Sequence, residues 1–235
     1  MSATLPAACA RTVEILPRLL DAIRPPLALA FSYQTEDVAA LHLLKQLGVD
    51  GVEIFTLNTG KLFPAIAGYH CEVEKFFGVE ITSYYPDGAE EKELADLGEF
   101  GMRASLDHRH RCCEVRKVRP LARALSGKNA WLTGLRAAQA VTRQNLGVLE
   151  YDEKNHLIKI NPLIAWSDAD LAEYREKFSL PENPLYAQGF KSIGCAPCTR
   201  PVRAGEDLRA GRWWWENPEH KECGLHLKTA VISGQ

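Results

Sequence analysis

The sequence predicts an α/β fold, in which a doubly wound, mostly parallel sheet carries helices on both faces and is followed by a C-terminal functional tail. Short apolar runs alternate with segments of helical periodicity, which is the pattern of a parallel sheet. Glycine or proline marks the end of most of these segments. From about residue 190 the alternation stops, and Cys, Arg, Trp, Gly and Pro become frequent. Ligands in such folds bind beyond the carboxyl ends of the strands.

The first half of the chain reads as a leading helix followed by alternating strands and helices. Pro25-Pro26, Gly48 and Gly78 end the three predicted helices, because proline cannot continue a helix and glycine favours its carboxyl end. In chain order the predicted elements are a helix over roughly 11–23, a strand over 27–31, a helix over 38–47, a strand over 52–57, a helix over 64–77 and a strand over 79–84.

The second half resumes this alternation after a charged stretch, 87–111, whose weak periodicity indicates a helix and a loop. Apolar residues recur on one side of a helix over 113–125. The remaining predicted elements are strands over 130–133 and 157–160 and a helix near 168–177.

The composition is that of a soluble globular protein. The 235 residues are enough for one sizeable core, and a net charge of -2 favours neither nucleic acid nor an anionic membrane as a partner. The N-terminus has no basic region before its apolar residues, and no run is long enough to span a membrane, so we expect a cytoplasmic protein. In that reducing compartment, seven cysteines are more typical of metal ligands or redox groups than of disulfides.

Polar turns follow three of the predicted strands and should meet at one edge of the sheet. Ser32 and the residues up to Asp37 open a helix, which suits either an anion site or an ordinary N-cap with acidic residues in its first turn. The second strand ends in Leu57-Asn58-Thr59-Gly60, and Gly134-Leu135-Arg136 follows the fourth strand. Two such turns at one edge favour a nucleotide, and a planar guanidinium beside them suits phosphate or sulfate.

Four cysteines occur as two close pairs, Cys112-Cys113 and Cys195-Ala-Pro-Cys198. The second pair alone is compatible with zinc, a redox dithiol or an iron–sulfur cluster. Adjacent cysteines are uncommon in structural zinc sites, whereas a cubane offers a separate iron to each thiolate. The spacing therefore leaves a cluster, zinc and inert thiols open.

The tail contains a basic and aromatic run and a further thiol. Arginines at 200, 203, 209 and 212 and the run Trp213-Trp-Trp215 precede Cys223. An arginine run is often only a solvated face, but its place between a cysteine pair and a separate thiol favours an anionic substrate.

Taken together, four segments resemble the assimilatory adenylyl-sulfate reductases, the iron–sulfur branch of the phosphoadenylyl-sulfate reductase family. The resemblance covers about residues 27–228 and is most specific in the tail. The segments are Cys112-Cys-Glu-Val-Arg-Lys117, Gly194-Cys-Ala-Pro-Cys-Thr-Arg200, Arg209-Ala-Gly-Arg-Trp-Trp-Trp-Glu216 and Lys221-Glu-Cys-Gly-Leu-His226.

This resemblance implies an adenine nucleotide alpha hydrolase-like fold that reduces adenosine 5'-phosphosulfate to sulfite and AMP. It implies an enzyme S-sulfocysteine formed on Cys223, the nucleophile, and thioredoxin as the reductant. It implies one four-iron, four-sulfur cluster held by Cys112, Cys113, Cys195 and Cys198. The implied substrate contacts are Ser32, Leu57, Thr59, Gly60, Gly134 and Arg136 for the nucleotide, and Lys117, Arg209 and Arg212 for the phosphosulfate.

The resemblance divides the chain into a helical lead (1–26), a nucleotide-binding α/β domain (27–190) and a C-terminal segment with one cysteine pair and Cys223 (191–235). Two departures concern the nucleotide contacts. Tyr33-Gln34-Thr35 replaces a stretch that often contains glycine, and Asn58 stands where the family commonly has aspartate.

Several alternatives remain open in the sequence. The substrate could carry a 3'-phosphate, and a homo-oligomer is neither indicated nor excluded. Two features disfavour a sulfurtransferase acting on tRNA: the net charge is -2, and basic and aromatic residues are not interleaved. A zinc-stabilised binding module would leave Cys223 without a role.

Overall fold

The computed structural model describes residues 5–140, 143–221, 224–225 and 229–231. The strands are β1 (Leu27–Ala30), β2 (Val52–Leu57), β3 (Ile81–Tyr84), β4 (Ala130–Leu132), β5 (Leu149–Asp152), β6 (Leu157–Ile160) and β7 (Thr229–Val231). The α-helices are α1 (Ala7–Ala22), α2 (Thr35–Gln46), α3 (Ala65–Phe77), α4 (Gly88–Glu91), α5 (Leu106–Cys113), α6 (Arg119–Leu125) and α7 (Asp168–Lys177).

The strands of the described chain form one mixed sheet in the order β3-β2-β1-β4-β6-β5-β7. The first five in this order pair in parallel, while β5 runs antiparallel to both β6 and β7. The chain moves outward from β1 to β3 and then crosses to β4, so the strand order reverses between β1 and β4. A crevice at the carboxyl ends of the strands is expected at such a point.

Alternation along β1 separates the two faces of the sheet. Leu27 and Leu29 belong to the larger core cluster, which also contains buried residues of α1, α2, α3 and α7. Ala28, between them, faces a smaller cluster with Phe55 and Trp131 that α6 covers. Because successive strand residues point to opposite faces, this short apolar run is buried on both sides.

The predicted doubly wound, mostly parallel fold is confirmed, and each predicted strand and helix is present with small shifts of its ends. Two strands of the described residues were not predicted. β5 is the first arm of a hairpin with β6, and β7 lies in the tail that the sequence left without regular structure. The charged stretch 87–111 contains α4, two 3₁₀ segments and most of α5.

The predicted helix over 113–125 is part of a longer helical path with a change of pitch. α5 passes into a π turn over Glu114–Val118 and then into α6. Pro120 lies in the first turn of α6, where it has no N–H to donate and its ring crowds the preceding turn. A widened turn accommodates such a proline, and π turns often occur at functional sites.

The chain after residue 190 folds back on itself. The backbone amide of Trp213 donates to the Cys198 carbonyl (3.1 Å), and Arg200 donates to the Gly211 carbonyl (3.0 Å). In the described residues, no helix is both long and apolar enough to pass through a membrane.

Candidate active site

A cavity of about 160 Å³ opens at the carboxyl ends of β1, β2 and β4. Its walls come from the turns after these strands, from the π turn after α5 and from the tail; we call it the large cavity. The predicted substrate contacts that line it are Ser32, Leu57, Thr59, Lys117, Gly134, Arg209 and Arg212. Gly60 and Arg136 are not among the described residues of this lining.

The turn after β1 is held by its own carboxylate. The Ser32 backbone N–H and hydroxyl both donate to Asp37 Oδ2, each over 2.6 Å. Burial raises the pKa of Asp37 to about 6, although the hydrogen bonds from Ser32 oppose the rise. The first-turn carboxylate therefore fixes the loop, and the Ser32 side chain remains exposed at the cavity.

The residues that depart from the family pattern anchor this loop. Tyr33 has a left-handed backbone (φ 64°), and its hydroxyl lies 2.8 Å from His70 Nδ1. Gln34 Oε1 accepts from the Ile193 backbone amide (3.3 Å), and Gln34 Nε2 donates to the Ser32 hydroxyl (3.2 Å). The Gln34 side chain therefore joins the loop to the segment that precedes Cys195.

The turn after β2 links the cavity to the second cysteine pair. Asn58 Oδ1 accepts from the Gly60 amide (3.1 Å), which stabilises the left-handed backbone of Gly60 (φ 69°). Thr59 is buried, and its hydroxyl lies 3.3 Å from Cys195 Sγ. Asn58 thus supports the turn through the same kind of side-chain acceptor that an aspartate would provide.

The turn after β4 brings Gly134, but not Arg136, to the cavity. A Cβ at Gly134 would lie 2.4 Å from Asp37 Oδ1, so glycine allows the close approach of α2. Arg136 is buried against acidic partners instead, with Nη2 2.9 Å from Glu36 Oε1 and 2.7 Å from Asp168 Oδ1. Arg143, which the sequence did not single out, lines the cavity from the same connection.

Three cations lie on the tail side of the large cavity. Lys117 Nζ and Arg212 Cζ lie 5.8 Å and 4.5 Å from the centre of the Trp213 ring. Arg212 Nη1 donates to the Ile193 carbonyl (2.7 Å), and Arg209 Nη2 donates to the Lys221 carbonyl (2.7 Å). A wall of this charge attracts an anion.

The four paired cysteines line a second, smaller cavity, which we call the cysteine cavity. Met102, Arg109, Arg116 and Pro197 contribute to its walls, and Lys117, Cys195 and Trp213 line both cavities. The family resemblance implies that the two pairs bind one cluster, and the fold brings all four cysteines to one cavity. Within the described ranges, no group of three or more Cys, His, Asp or Glu has the arrangement of a single metal-ion site.

The thiols of the cysteine cavity differ in their electrostatic surroundings. Burial raises the pKa of Cys198 to about 11, and the neighbouring Cys195 adds to that effect. Burial acts in the same direction on Cys195, but Lys117, the Thr59 hydroxyl and Arg212 together lower its pKa below the usual thiol value. Cations beside the cavity therefore favour thiolate at Cys195.

The predicted nucleophile, Cys223, lies outside the described residues, and so does His226. Leu225 lines the large cavity and packs against the core cluster that contains Phe55 and Trp131. The Lys221 carbonyl is held by Arg209, as described above.

A family model described as the phosphoadenosine phosphosulfate reductase domain matches residues 26–201. The chain belongs to this family. Curated members of the family share close sequence similarity with it. Adenosine 5'-phosphosulfate reductase of Allochromatium vinosum is 44% identical over 96% of this chain and 88% of its own length. The Burkholderia cepacia protein of the same name is 45% identical over 85% of this chain and 80% of its own length.

Solved structures extend this likeness to the fold. The phosphoadenylyl-sulfate reductase of Candida auris, in a phosphate complex, is 25% identical with a TM-score of 0.65, covering 83% of this chain and 98% of that one. FMN adenylyltransferase of Candida glabrata in complex with ATP is 14% identical with a TM-score of 0.59, covering 94% of this chain and 78% of that one. The second likeness shows the fold alone.

In this reductase-family chain, sequence reasoning singled out the run Trp213-Trp-Trp215 but gave Trp213 no place in the site, and it missed Arg109 and Arg143. Arg109 lines the cysteine cavity, but it carries no local signal beyond its closeness to a cysteine. Arg143 lies in the connection after β4, where the hydrophobic pattern gave no reason to place it at the site. A residue census of basic side chains between β4 and β5 would have raised Arg143 as an alternative to Arg136.

Proposed function

We propose that the protein is an adenylyl-sulfate reductase that converts adenosine 5'-phosphosulfate to sulfite and AMP in assimilatory sulfate reduction, and so serves cysteine biosynthesis. One observation carries the proposal: the large cavity and the cysteine cavity share Lys117, Cys195 and Trp213 as a common wall. A nucleotide site alone or a metal site alone would not need that wall. The names of the relatives that are 44% and 45% identical support the same reaction.

The large cavity has an apolar part and a cationic part, as this substrate requires. Leu57, Leu121 and Trp131 offer apolar surface for an adenine ring. Lys117, Arg209 and Arg212 would hold the phosphosulfate, and their charge would offset both the approach of a thiolate and the charge that develops on the departing phosphate. Ser32, Thr59 and Gly134 would position the nucleotide at the strand ends.

The residues of the cysteine cavity fit a four-iron, four-sulfur cluster. Four thiols from two sequence pairs line one cavity, whose other walls are Met102, Trp213 and the cations Arg109, Arg116 and Lys117. Four thiolates are the usual ligand set of such a cluster, and the cations would offset the negative charge of the assembly. When bound, the cluster would supply a fixed charge and a cross-link between α5 and the tail, and electron transfer through it is not required.

The reaction we propose begins with the Cys223 thiolate. Its sulfur attacks the sulfate sulfur, the bond from that sulfur to the bridging oxygen breaks, and AMP leaves with the electron pair. The product is an S-sulfocysteine on the enzyme. A thiolate of thioredoxin then attacks Cys223 Sγ and expels sulfite, and the second thioredoxin thiol resolves the mixed disulfide, so that the dithiol supplies both electrons. A cytoplasmic location would keep these thiols reduced.

Sulfite release from two nucleotides tests the proposal. We expect sulfite from adenosine 5'-phosphosulfate with thioredoxin, and a slower reaction with dithiothreitol. Without reductant, the peptide containing Cys223 should gain the mass of a sulfo group, which thioredoxin removes as sulfite appears. An adduct on Cys9 or Cys71 instead would refute the assignment of the nucleophile.

A second candidate is reduction of 3'-phosphoadenosine 5'-phosphosulfate, alone or together with the first nucleotide. The solved Candida auris relative, named for that substrate, supports it at 25% identity. Sulfite release from the 3'-phosphorylated nucleotide at an equal or greater kcat/KM would establish this alternative.

A further inference from the structure

The Arg109 guanidinium is completely buried between α5 and the tail. Its Nε lies 2.6 Å from Glu216 Oε1, and its Nη2 donates to the His220 carbonyl over 2.7 Å. Glu216 is also nearly buried. A buried guanidinium with these two acceptors makes charge-assisted hydrogen bonds of the stronger class. Arg109 therefore bonds one side chain and one backbone carbonyl of the tail.

Arg109 also belongs to the wall of the cysteine cavity. It lies three and four positions before Cys112 and Cys113 on one helix, a spacing that brings side chains to the same face. Its Cζ lies 4.7 Å from the centre of the Trp213 ring, which lines both cavities. Arg109 therefore lies on the helix that carries Cys112 and Cys113, contacts Trp213 in the wall common to both cavities, and bonds the tail.

The tail is held a second time at the next residue. Arg209, from the wall of the large cavity, donates to the Lys221 carbonyl over 2.7 Å. His220 and Lys221 are consecutive, so guanidinium groups from the walls of two different cavities hold adjacent carbonyls. These carbonyls lie three and two positions before Cys223 in the sequence. The backbone that leads to Cys223 is therefore fixed relative to both cavities.

We propose that Arg109 is a positioning residue, which ties the tail before Cys223 to the helix that carries Cys112 and Cys113. These hydrogen bonds fix the position of the tail at the large cavity relative to the cysteine cavity. The catalytic consequence rests on the role proposed above for Cys223. If the Arg109 hydrogen bonds only stabilised the fold, Arg109 would not need to bond a carbonyl in the segment that leads to Cys223.

The test compares Arg109→Met with Arg111→Met in the holoenzyme. Arg111 lies on the same helix beside Cys112, but it is exposed and pairs with Asp96, outside both cavities. Because Arg109→Met leaves Glu216 buried without its cation, a double variant with Glu216→Gln guards against misfolding. Hydrogen exchange of the peptide over 213–221, iron content and steady-state kinetics would be measured for each protein.

We expect Arg109→Met, alone or with Glu216→Gln, to speed exchange over 213–221 by about tenfold or more while α2 and β1 keep their protection. We expect kcat to fall by about tenfold or more, with the KM for the nucleotide within about twofold, because substrate contacts are retained. Arg109→Lys, which can still reach one acceptor, should recover part of both effects. Arg111→Met should match the wild type.

Unchanged exchange over 213–221 in the double variant would overturn the tie. Faster exchange with an unchanged kcat would overturn the positioning role, as would a rise in KM alone. If the wild-type protein releases no sulfite from either nucleotide, the proposed function fails. In that case exchange over 213–221 alone still decides whether Arg109 ties the tail.

Discussion

The hydroxyl of Thr59 lies 3.3 Å from the sulfur of Cys195, so the turn after β2 is bonded directly to the second cysteine pair. Both residues are buried, and Cys195 lines both cavities. A displacement of Cys195 would therefore disturb the turn at the strand edge where the nucleotide is proposed to bind. This contact joins the turn after β2 to the wall that the two cavities share.

Replacing Thr59 tests that bond. Thr59→Val keeps the shape of the side chain and removes the hydroxyl, so we expect the free energy of unfolding to fall by about 1 kcal/mol. Thr59→Ser keeps the hydroxyl and should retain more of the stability. Urea unfolding of the three proteins measures the difference. Equal stability of the valine and serine variants would show that the bond contributes nothing.

Cys198→Ser should lose the iron–sulfur cluster, because three thiolates and a hydroxyl form a poor site for it. Iron and acid-labile sulfide, assayed after anaerobic purification, should both fall, and the brown colour should fade. Cys71→Ser is the matched control, since Cys71 is exposed on α3. A full complement of iron in Cys198→Ser would remove Cys198 from the ligands, and zinc in the wild-type protein would contradict the cluster itself.

Lys117→Ala should weaken substrate binding and slow the chemical step while the cluster survives. The expected loss is one charge-assisted contact of roughly 1.5–3 kcal/mol, which lowers kcat/KM by one to two orders of magnitude. Lys154→Ala is the control, because Lys154 is exposed and pairs with Glu114. Kinetics with adenosine 5'-phosphosulfate measure both. If the two variants behave alike, the phosphosulfate does not bind at Lys117.

Gly134→Ala should disturb the loop after β1. The added Cβ would lie 2.4 Å from Asp37 Oδ1 and 2.9 Å from the Asp37 amide nitrogen, so α2 must move. Crowding of this kind costs about 1–3 kcal/mol, and nucleotide binding should weaken with it. Gly68→Ala, at an open position on α3, should instead leave stability unchanged or raise it slightly. Thermal unfolding and AMP titration distinguish the two variants.

Asp37 should make the protein less stable as the pH rises from about 4 to about 6. Burial raises the pKa of Asp37 to about 6 in the folded protein, above the unfolded value of 3.8. The folded state therefore binds this proton more tightly, and the stability that it contributes is lost as the pH rises through the window. Urea unfolding of the wild type and Asp37→Asn at pH 4, 5, 6 and 7, about one unit apart, isolates the contribution. Parallel pH profiles for the two proteins would contradict it.

Much of the fold followed from local patterns. Apolar runs of strand length and glycines such as Gly48 and Gly78 mark elements whose burial depends mainly on their own residues. β5 and β7 were not predicted, because each is short and is recognised only by its pairing with another strand. β7, for example, is a strand because it pairs with the edge of β5. The π turn before Pro120 likewise depends on the way α5 continues into α6.

The sequence by itself determined the fold class, the family resemblance and the residue types of the site, since these depend on periodicity and on short motifs. Only the tertiary structure decided which side chains meet. It turned Arg136 toward Glu36 and Asp168, placed Arg143 at the large cavity, and set Arg109 against His220, more than a hundred positions away. A buried cation must pair with acceptors, because an unpaired charge away from water costs free energy. Which acceptors lie near it depends on how distant segments of the chain pack, so no local sequence pattern predicts them.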